Sequence, residues 1–169
     1  VIECPAPLLA SGLEIVDTPG LNDTEARNQQ VLSYLNEAQA AVFVLDATQP
    51  VTLDERRYLR NYIQNRDLDC FYVVNGWDRL QTGLVNPEDT EALAAAVARQ
   101  RQVFTQSLPE GATWFEVSAL AALRQQRRGE PLTGSGVDKF WATLDSFLTQ
   151  RRGQRALQRA AKLAHRAYS

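Results

Sequence analysis

CFYVVNGWD, the sequence of residues 70–78, joins five apolar residues to a polar turn. An apolar run without alternation is typical of a strand that is buried on both faces of a parallel sheet. Three other short apolar runs also end in polar or turn-forming residues: Leu13–Val16, Ala41–Leu45 and Thr113–Val117. Because helical patterns separate these runs, the chain is predicted to be an α/β fold with a mostly parallel sheet and helices on both faces.

The predicted helices follow from their starting residues and apolar spacing. Thr52 with Glu55 three residues later forms a capping box. Asn86 followed by Pro87 is a typical helix start. The helices are predicted over Thr24–Ala38, from Thr52 to about Gln64, from Asn86 to about Leu108, in a short segment after Ser118, and over Val137–Leu148.

Composition limits the classes of function. The 169 residues are 44% hydrophobic and 22% charged, which is typical of one globular domain. Cys4 and Cys70 are too few for a disulfide framework, and the single His165 excludes multi-histidine metal sites. Residues 151–169 contain six basic and no acidic side chains, although the whole chain has a net charge of −2. We therefore expect a domain over residues 1–150, followed by a basic helix over residues 151–169.

Polar residues at the ends of the predicted strands are the candidate functional residues. In an open parallel sheet, ligands bind beyond the carboxyl ends of the strands. The residues in these positions are Asp17-Thr18-Pro19-Gly20, Asp46, Asn75-Gly76-Trp77-Asp78 and Ser118-Ala119. All four groups are expected to face one crevice.

The order Asp-x-x-Gly, Asn-x-x-Asp and Ser-Ala, each at a strand end, resembles the later motifs of the GTPase superfamily. Residues 13–23, LEIVDTPGLND, resemble the corresponding segment of dynamin-family GTPases. Residues 24–27, 52–59 and 74–78 extend the similarity to bacterial, especially cyanobacterial, dynamin-like proteins. The resemblance covers most of residues 1–150 and implies a P-loop GTPase-type fold.

The resemblance assigns the first motif to phosphate and magnesium. Asp17 would hold Mg²⁺ through a water molecule, which suits an ion that loses its water reluctantly. Gly20 would offer its N–H to the γ-phosphate, with Thr18 and Pro19 in the same nucleotide-binding loop. A plain turn between a strand and a helix is the alternative for this loop.

The other two motifs would read the base. Asp78 would accept two hydrogen bonds from guanine, a donor pair that adenine lacks. Asn75 would brace the pocket, Ser118 would support Asp78, and the Ala119 N–H would donate to the guanine carbonyl. The alternatives are an Asn side-chain turn and a strand end followed by a helix cap.

Three departures from the general GTPase pattern stand out. Gly76 replaces the usual lysine, whose stem packs along the base, so Trp77 either stacks on guanine or packs in the core. Leu21 replaces the water-orienting glutamine, and no catalytic side chain is assigned.

The third departure is the phosphate-binding loop Gly-x-x-x-x-Gly-Lys-Ser/Thr, which neither Lys139 nor Lys162 can complete. Together with the lack of methionine, this predicts an N-terminally truncated GTPase head fragment.

The expected function of the full-length protein is GTP binding and hydrolysis by a dynamin-like enzyme that remodels membranes, with magnesium as cofactor. The fragment alone is not expected to be competent. The resemblance implies a homodimer or larger assembly through the heads, membrane contact through regions absent here, and a cytoplasmic location at the membrane periphery. No nucleic-acid partner is expected. The alternatives are a septation or ribosome-assembly type of GTPase and a non-catalytic interaction module. For the tail, a surface helix, a first stalk helix and a membrane-surface helix remain open.

Overall fold

A computed structural model describes residues 13–18, 31, 33–49, 51–59, 68–82 and 88–150. Two compact units make up the chain: unit 1 is Val1–Ala41 with Thr52–Asp69, and unit 2 is Val42–Val51 with Cys70–Ser169. The predictions for Pro19, Gly20 and residues 151–169 lie outside the described residues.

Three strands form one sheet in the order β1-β2-β3: β1 is Ala40–Asp46, β2 is Asp69–Asn75 and β3 is Trp114–Val117. The strands β2 and β3 are parallel, with Tyr72 opposite Trp114 and Asn75 opposite Val117. The predicted α/β fold is confirmed, because these strands follow the three apolar runs expected after residue 40. Their parallel order brings the ends of β2 and β3 together.

In the described residues, the helical segments are α1 over residues 33–37, α2 Leu53–Tyr58, α3 Arg79–Thr82, α4 Thr90–Ser107, α5 Ala119–Arg127 and α6 over residues 137–150. In unit 1, the predicted capping box begins α2. The Thr52 hydroxyl accepts from the Glu55 N–H at 3.2 Å, and the Glu55 carboxylate accepts from the Thr52 N–H at 2.7 Å. This pairing satisfies two backbone donors that the first turn leaves free.

Aromatic side chains cover both faces of the β2–β3 pair in unit 2. On one face, Phe104 of α4 lies 6.2 Å from Trp114, ring centre to ring centre, and is fully buried. On the other face, α6 packs Phe140 against Phe115 at 5.4 Å, and Phe147 against Phe71 at 5.3 Å. These contacts hold the strand ends of the candidate site on a rigid support.

Two local predictions were wrong. Residues 13–18 have no regular structure, and Ile15 and Val16 are 66% and 42% exposed. An apolar run becomes a strand only when its backbone pairs with another strand, which this segment does not do.

The long helix α4 begins with the cap Asp89, whose carboxylate accepts from the Ala92 N–H at 2.9 Å. The expected cap, Asn86, lies outside the described residues.

Candidate functional site

The carboxyl ends of β2 and β3 bring the second and third motifs together. Asn75 is the last residue of β2, and Val117, its partner in the sheet register, is the last residue of β3. The Val117 carbonyl accepts from the Gly76 N–H at 2.9 Å and from the Trp77 N–H at 3.4 Å. The loop after β2 is thus tied to the end of the neighbouring strand.

Asp78 and Ser118 form the central side-chain contact of this site. The Ser118 hydroxyl donates to Oδ1 of Asp78 at 2.5 Å, and it also accepts from the Ala121 N–H at 3.3 Å. Ser118 is buried and caps α5, whereas Asp78 is exposed. A carboxylate has about four acceptor positions on its two oxygens, and Ser118 occupies one. The exposed carboxylate therefore retains acceptors for a ligand.

Asn75 braces the same corner through the backbone of α5. Its Oδ1 accepts from the Ala119 N–H at 2.9 Å. The sequence resemblance assigned this N–H to the carbonyl oxygen of guanine. A guanine base bound here would accept from the Ala119 N–H either together with Asn75 or in its place.

Gly76 has a backbone conformation that suits glycine. Its φ is +91°, and a Cβ atom built on it would overlap the guanidinium of Arg79. A side chain such as lysine at position 76 would meet both obstacles. The space beside Gly76 is already filled by Arg79.

Arg79 and Asp46 also belong to this corner; the sequence predicted Asp46 only as a strand-end residue and did not predict Arg79. Nη2 of Arg79 donates to Oδ2 of Asp46 at 2.7 Å. The other Asp46 oxygen accepts from the Thr48 hydroxyl at 2.7 Å and from the Thr48 N–H at 2.8 Å. These Thr48 hydrogen bonds, assisted by Arg79, lower the pKa of Asp46. The position of Asp46 after a strand was the only signal in the sequence for this ion pair.

Trp77 belongs to an aromatic cluster with Phe104 and Trp114. Its ring is stacked on Trp114 at 6.3 Å with 27° between the planes, and it lies 6.4 Å from Phe104. Its indole Nε1 is buried and makes no hydrogen bond in the structure. Of the two interpretations offered for Trp77, these contacts favour packing.

A cleft of about 560 Å³ opens beside Asp78 and Ser118. Its walls combine aromatic with charged side chains, including the ion pair between Arg101 and Glu116. The lining residues are Trp77, Asp78, Arg101, Trp114–Ser118, Ala121, Gly134–Gly136, Asp138 and Lys139. The cleft therefore offers both apolar and charged groups to a ligand.

The first motif lies in unit 1. Asp17 and Thr18 are exposed and lack regular structure, and Pro19 and Gly20 lie outside the described residues. The exposed Asp17 carboxylate fits the indirect role expected for it, because one oxygen ligand can hold hydrated Mg²⁺ through water. Within the described ranges, no group of three potential metal-binding side chains occurs.

None of the helices in the described part of the chain combines the length and the apolar character needed to cross a bilayer.

Comparison with known proteins gives a consistent result. Residues 1–77 match the sequence model of the Dynamin family. Over 99% of its length, the chain is 45% identical to a bacterial dynamin-like protein from Nostoc punctiforme, and it spans 26% of that relative. Over 77% of its length, it is 30% identical to a probable transmembrane GTPase, FZO-like and chloroplastic, from Arabidopsis thaliana, of which it spans 14%.

Among solved structures, Era in complex with MgGDPNP and a segment of 16S ribosomal RNA is similar at 18% identity and a TM-score of 0.44. That similarity covers 76% of this chain and 37% of Era. The family match at residues 1–77 and the 45% identity over nearly the whole chain identify it as a relative of the bacterial dynamin-like proteins.

Proposed function

We propose that the full-length protein binds guanine nucleotides at the ends of β2 and β3 and hydrolyses GTP. The observation that carries the proposal is the pair of contacts from Ser118 to Asp78 and from Ala119 to Asn75. The first contact orients the exposed Asp78 carboxylate, and the second ties the end of β2 to the start of α5, at the edge of a parallel sheet where ligands of such folds bind.

Asp78 would select the base. Guanine presents a ring N–H and an exocyclic amine side by side, and a carboxylate accepts from both. Adenine presents a ring nitrogen that only accepts, so its lone pair would face the Asp78 carboxylate. A site built for two hydrogen bonds rejects a ligand that cannot make them, because its polar groups lose their partners.

The other residues expected from the sequence belong to the same proposal. Asp17 would hold Mg²⁺ through water, and the loop Thr18-Pro19-Gly20 would contact the phosphates. When bound, magnesium would neutralise charge on the phosphate oxygens. Residues 1–150 would form the GTPase-type domain and residues 151–169 a basic helix. No catalytic side chain is assigned.

Self-assembly and membrane remodelling are proposed for the whole protein on the basis of its relatives. The relative in Nostoc punctiforme is named a dynamin-like protein, and the one in Arabidopsis thaliana is named a probable transmembrane GTPase. We expect the protein to act at the membrane surface from the cytoplasmic side, as a homodimer or larger assembly.

The test is equilibrium titration of the full-length protein with fluorescent GTP and fluorescent ATP in the presence of Mg²⁺, followed by a phosphate-release assay. We expect GTP to bind at least about 100-fold more tightly than ATP. We also expect GTP hydrolysis that requires Mg²⁺. Equal affinity for the two nucleotides would refute the proposed base selection, and GTP binding without phosphate release would refute the proposed hydrolysis.

A further inference from the structure

Gly76 has no side chain, and the side chain of Arg79 fills the space beside it. A Cβ atom on Gly76 would lie 2.6 Å from Nε and 2.8 Å from Cζ of Arg79, well inside contact distance. The guanidinium of Arg79 therefore occupies the volume into which a longer residue at position 76 would project. Arg79, three residues further along the chain at the start of α3, thus places a cationic group in that volume.

The guanidinium is held in this place by an ion pair, and the Arg79 backbone is held by a hydrogen bond. Its Nη2 is paired with Oδ2 of Asp46 at 2.7 Å, and the Thr48 hydrogen bonds fix that carboxylate in turn. At its own backbone, the Arg79 N–H donates to the Gly76 carbonyl at 3.0 Å. The Arg79 side chain is nevertheless 49% exposed, so about half of it remains in contact with solvent.

Trp77 does not compete for the same task. Its ring packs against Trp114 and Phe104, and its indole nitrogen is buried. Of the two aromatic or planar side chains beside Asp78 in this loop, only Arg79 combines exposure with a fixed orientation.

We propose that the planar face of the Arg79 guanidinium packs against the guanine base whose edge Asp78 recognises, in place of the side chain that Gly76 lacks. Guanidinium groups are flat, delocalised and weakly hydrated, and they stack on aromatic faces. The inference rests on the proposed guanine-nucleotide site and adds to it a residue that binds the face of the base.

A contact with the face of the base and a contact with its edge affect the dissociation constants of different nucleotides differently. Inosine diphosphate lacks the 2-amino group of GDP, so the ratio of the two dissociation constants reports the edge contact of Asp78. Stacking depends on the ring and is nearly the same for both nucleotides. Loss of Arg79 should therefore weaken both ligands by the same factor and leave their ratio unchanged.

The experiment measures GDP and inosine diphosphate binding by calorimetry to full-length protein and to Arg79→Ala. We expect both dissociation constants to rise about 3- to 30-fold, with their ratio constant within twofold. Arg79→Gln, which retains a planar donor for Asp46 but loses the charge, should also weaken both ligands equally. It serves as the test if Arg79→Ala does not fold. Arg99→Ala, an exposed arginine of α4, is the matched control and should bind as the unmodified protein does.

The outcomes separate the inference from the function beneath it. If the unmodified protein binds GDP and the Arg79 variants bind it equally well, the inference is wrong and the proposed function stands. If GDP binding falls but inosine diphosphate binding does not, Arg79 only orients Asp78, and stacking is wrong. If the unmodified protein binds no guanine nucleotide, the proposed function fails and the inference fails with it.

Discussion

The Ser118 hydroxyl lies 2.5 Å from Oδ1 of Asp78, although 40 residues separate the two in the chain. The contact joins the turn after β2 to the cap of α5. Ser118 thus has a structural role and a candidate functional role at once, because one hydroxyl both caps a helix and orients a carboxylate.

The two roles of Ser118 can be separated by substitution. Ser118→Ala removes the cap and the contact with Asp78, and should lower the free energy of unfolding by about 0.5–2 kcal/mol. Ser118→Gly removes the same contact, but glycine caps helices nearly as well, so stability should fall by only a few tenths of a kcal/mol. Both variants should weaken GDP binding about 2- to 10-fold, measured by calorimetry beside urea unfolding. Unchanged GDP binding in both would show that Ser118 is only a cap.

The aromatic cluster around Trp77 predicts a stability effect. Trp77→Ala removes a ring that contacts both Trp114 and Phe104, and should lower the free energy of unfolding by about 3–5 kcal/mol. Trp141→Ala is the matched control, because Trp141 is 39% exposed and should cost clearly less. Urea unfolding followed by circular dichroism checks both. Equal costs for the two variants would contradict the packing role of Trp77.

Substitution of Gly136 by alanine should lower the free energy of unfolding, because the backbone approaches β3 closely there. A Cβ atom there would overlap the carbonyl oxygen of Glu116, and the φ of Gly136 is +76°. Gly134 has a similar φ of +81° but open space around it, so alanine at that position tests conformational strain alone. Gly136→Ala should therefore cost about 1–3 kcal/mol more than Gly134→Ala in urea unfolding. A smaller effect at Gly136 than at Gly134 would contradict the close approach to β3.

Cys70 should be a poor nucleophile in the folded protein. Burial raises the pKa of its thiol to about 11, although a hydrogen bond with Tyr72 acts in the opposite direction. The neutral thiol is the favoured form in the folded state, so its contribution to stability is present below the ordinary thiol pKa. That contribution is lost as the pH rises through about 11.

Thiol labelling checks this prediction. Because the thiolate reacts, a Cys4→Ser protein should be labelled by Ellman's reagent at pH 8 much more slowly when folded than in urea. The labelling rate of the folded protein should still be rising at about pH 10. Equal rates in the two states at pH 8 would contradict the raised pKa of the Cys70 thiol.

Much of the fold could be predicted from residues whose local signals are strong. The unbroken apolar run before Asn75 predicted β2, and the Thr52–Glu55 spacing predicted the start of α2. Both signals act over a few residues and do not depend on distant partners. The run Leu13–Val16, which contains Glu14, was also expected to be a strand, but a strand needs a paired neighbour, which local sequence does not encode.

The candidate site was predictable to the level of its motifs. The sequence order placed Asn75, Asp78 and Ser118 at strand ends, and the structure brings their side chains into one corner. The packing of Arg79 over Gly76 and its pairing with Asp46 depend on side-chain direction across the ends of two strands. Spacing along the chain carries no information about that direction, so the Arg79 contacts could be identified only from the three-dimensional structure.

The most direct test of the central claim is a change of base preference at Asp78. In the full-length protein, Asp78→Asn replaces an acceptor by a donor at the guanine amine, and xanthine carries a carbonyl oxygen at that position. GDP binding should weaken about 100-fold. Binding of xanthosine diphosphate should rise until it exceeds that of GDP, as measured by competition against a fluorescent nucleotide. If Asp78→Asn binds GDP as well as the unmodified protein does and gains nothing for xanthosine diphosphate, Asp78 does not read the base.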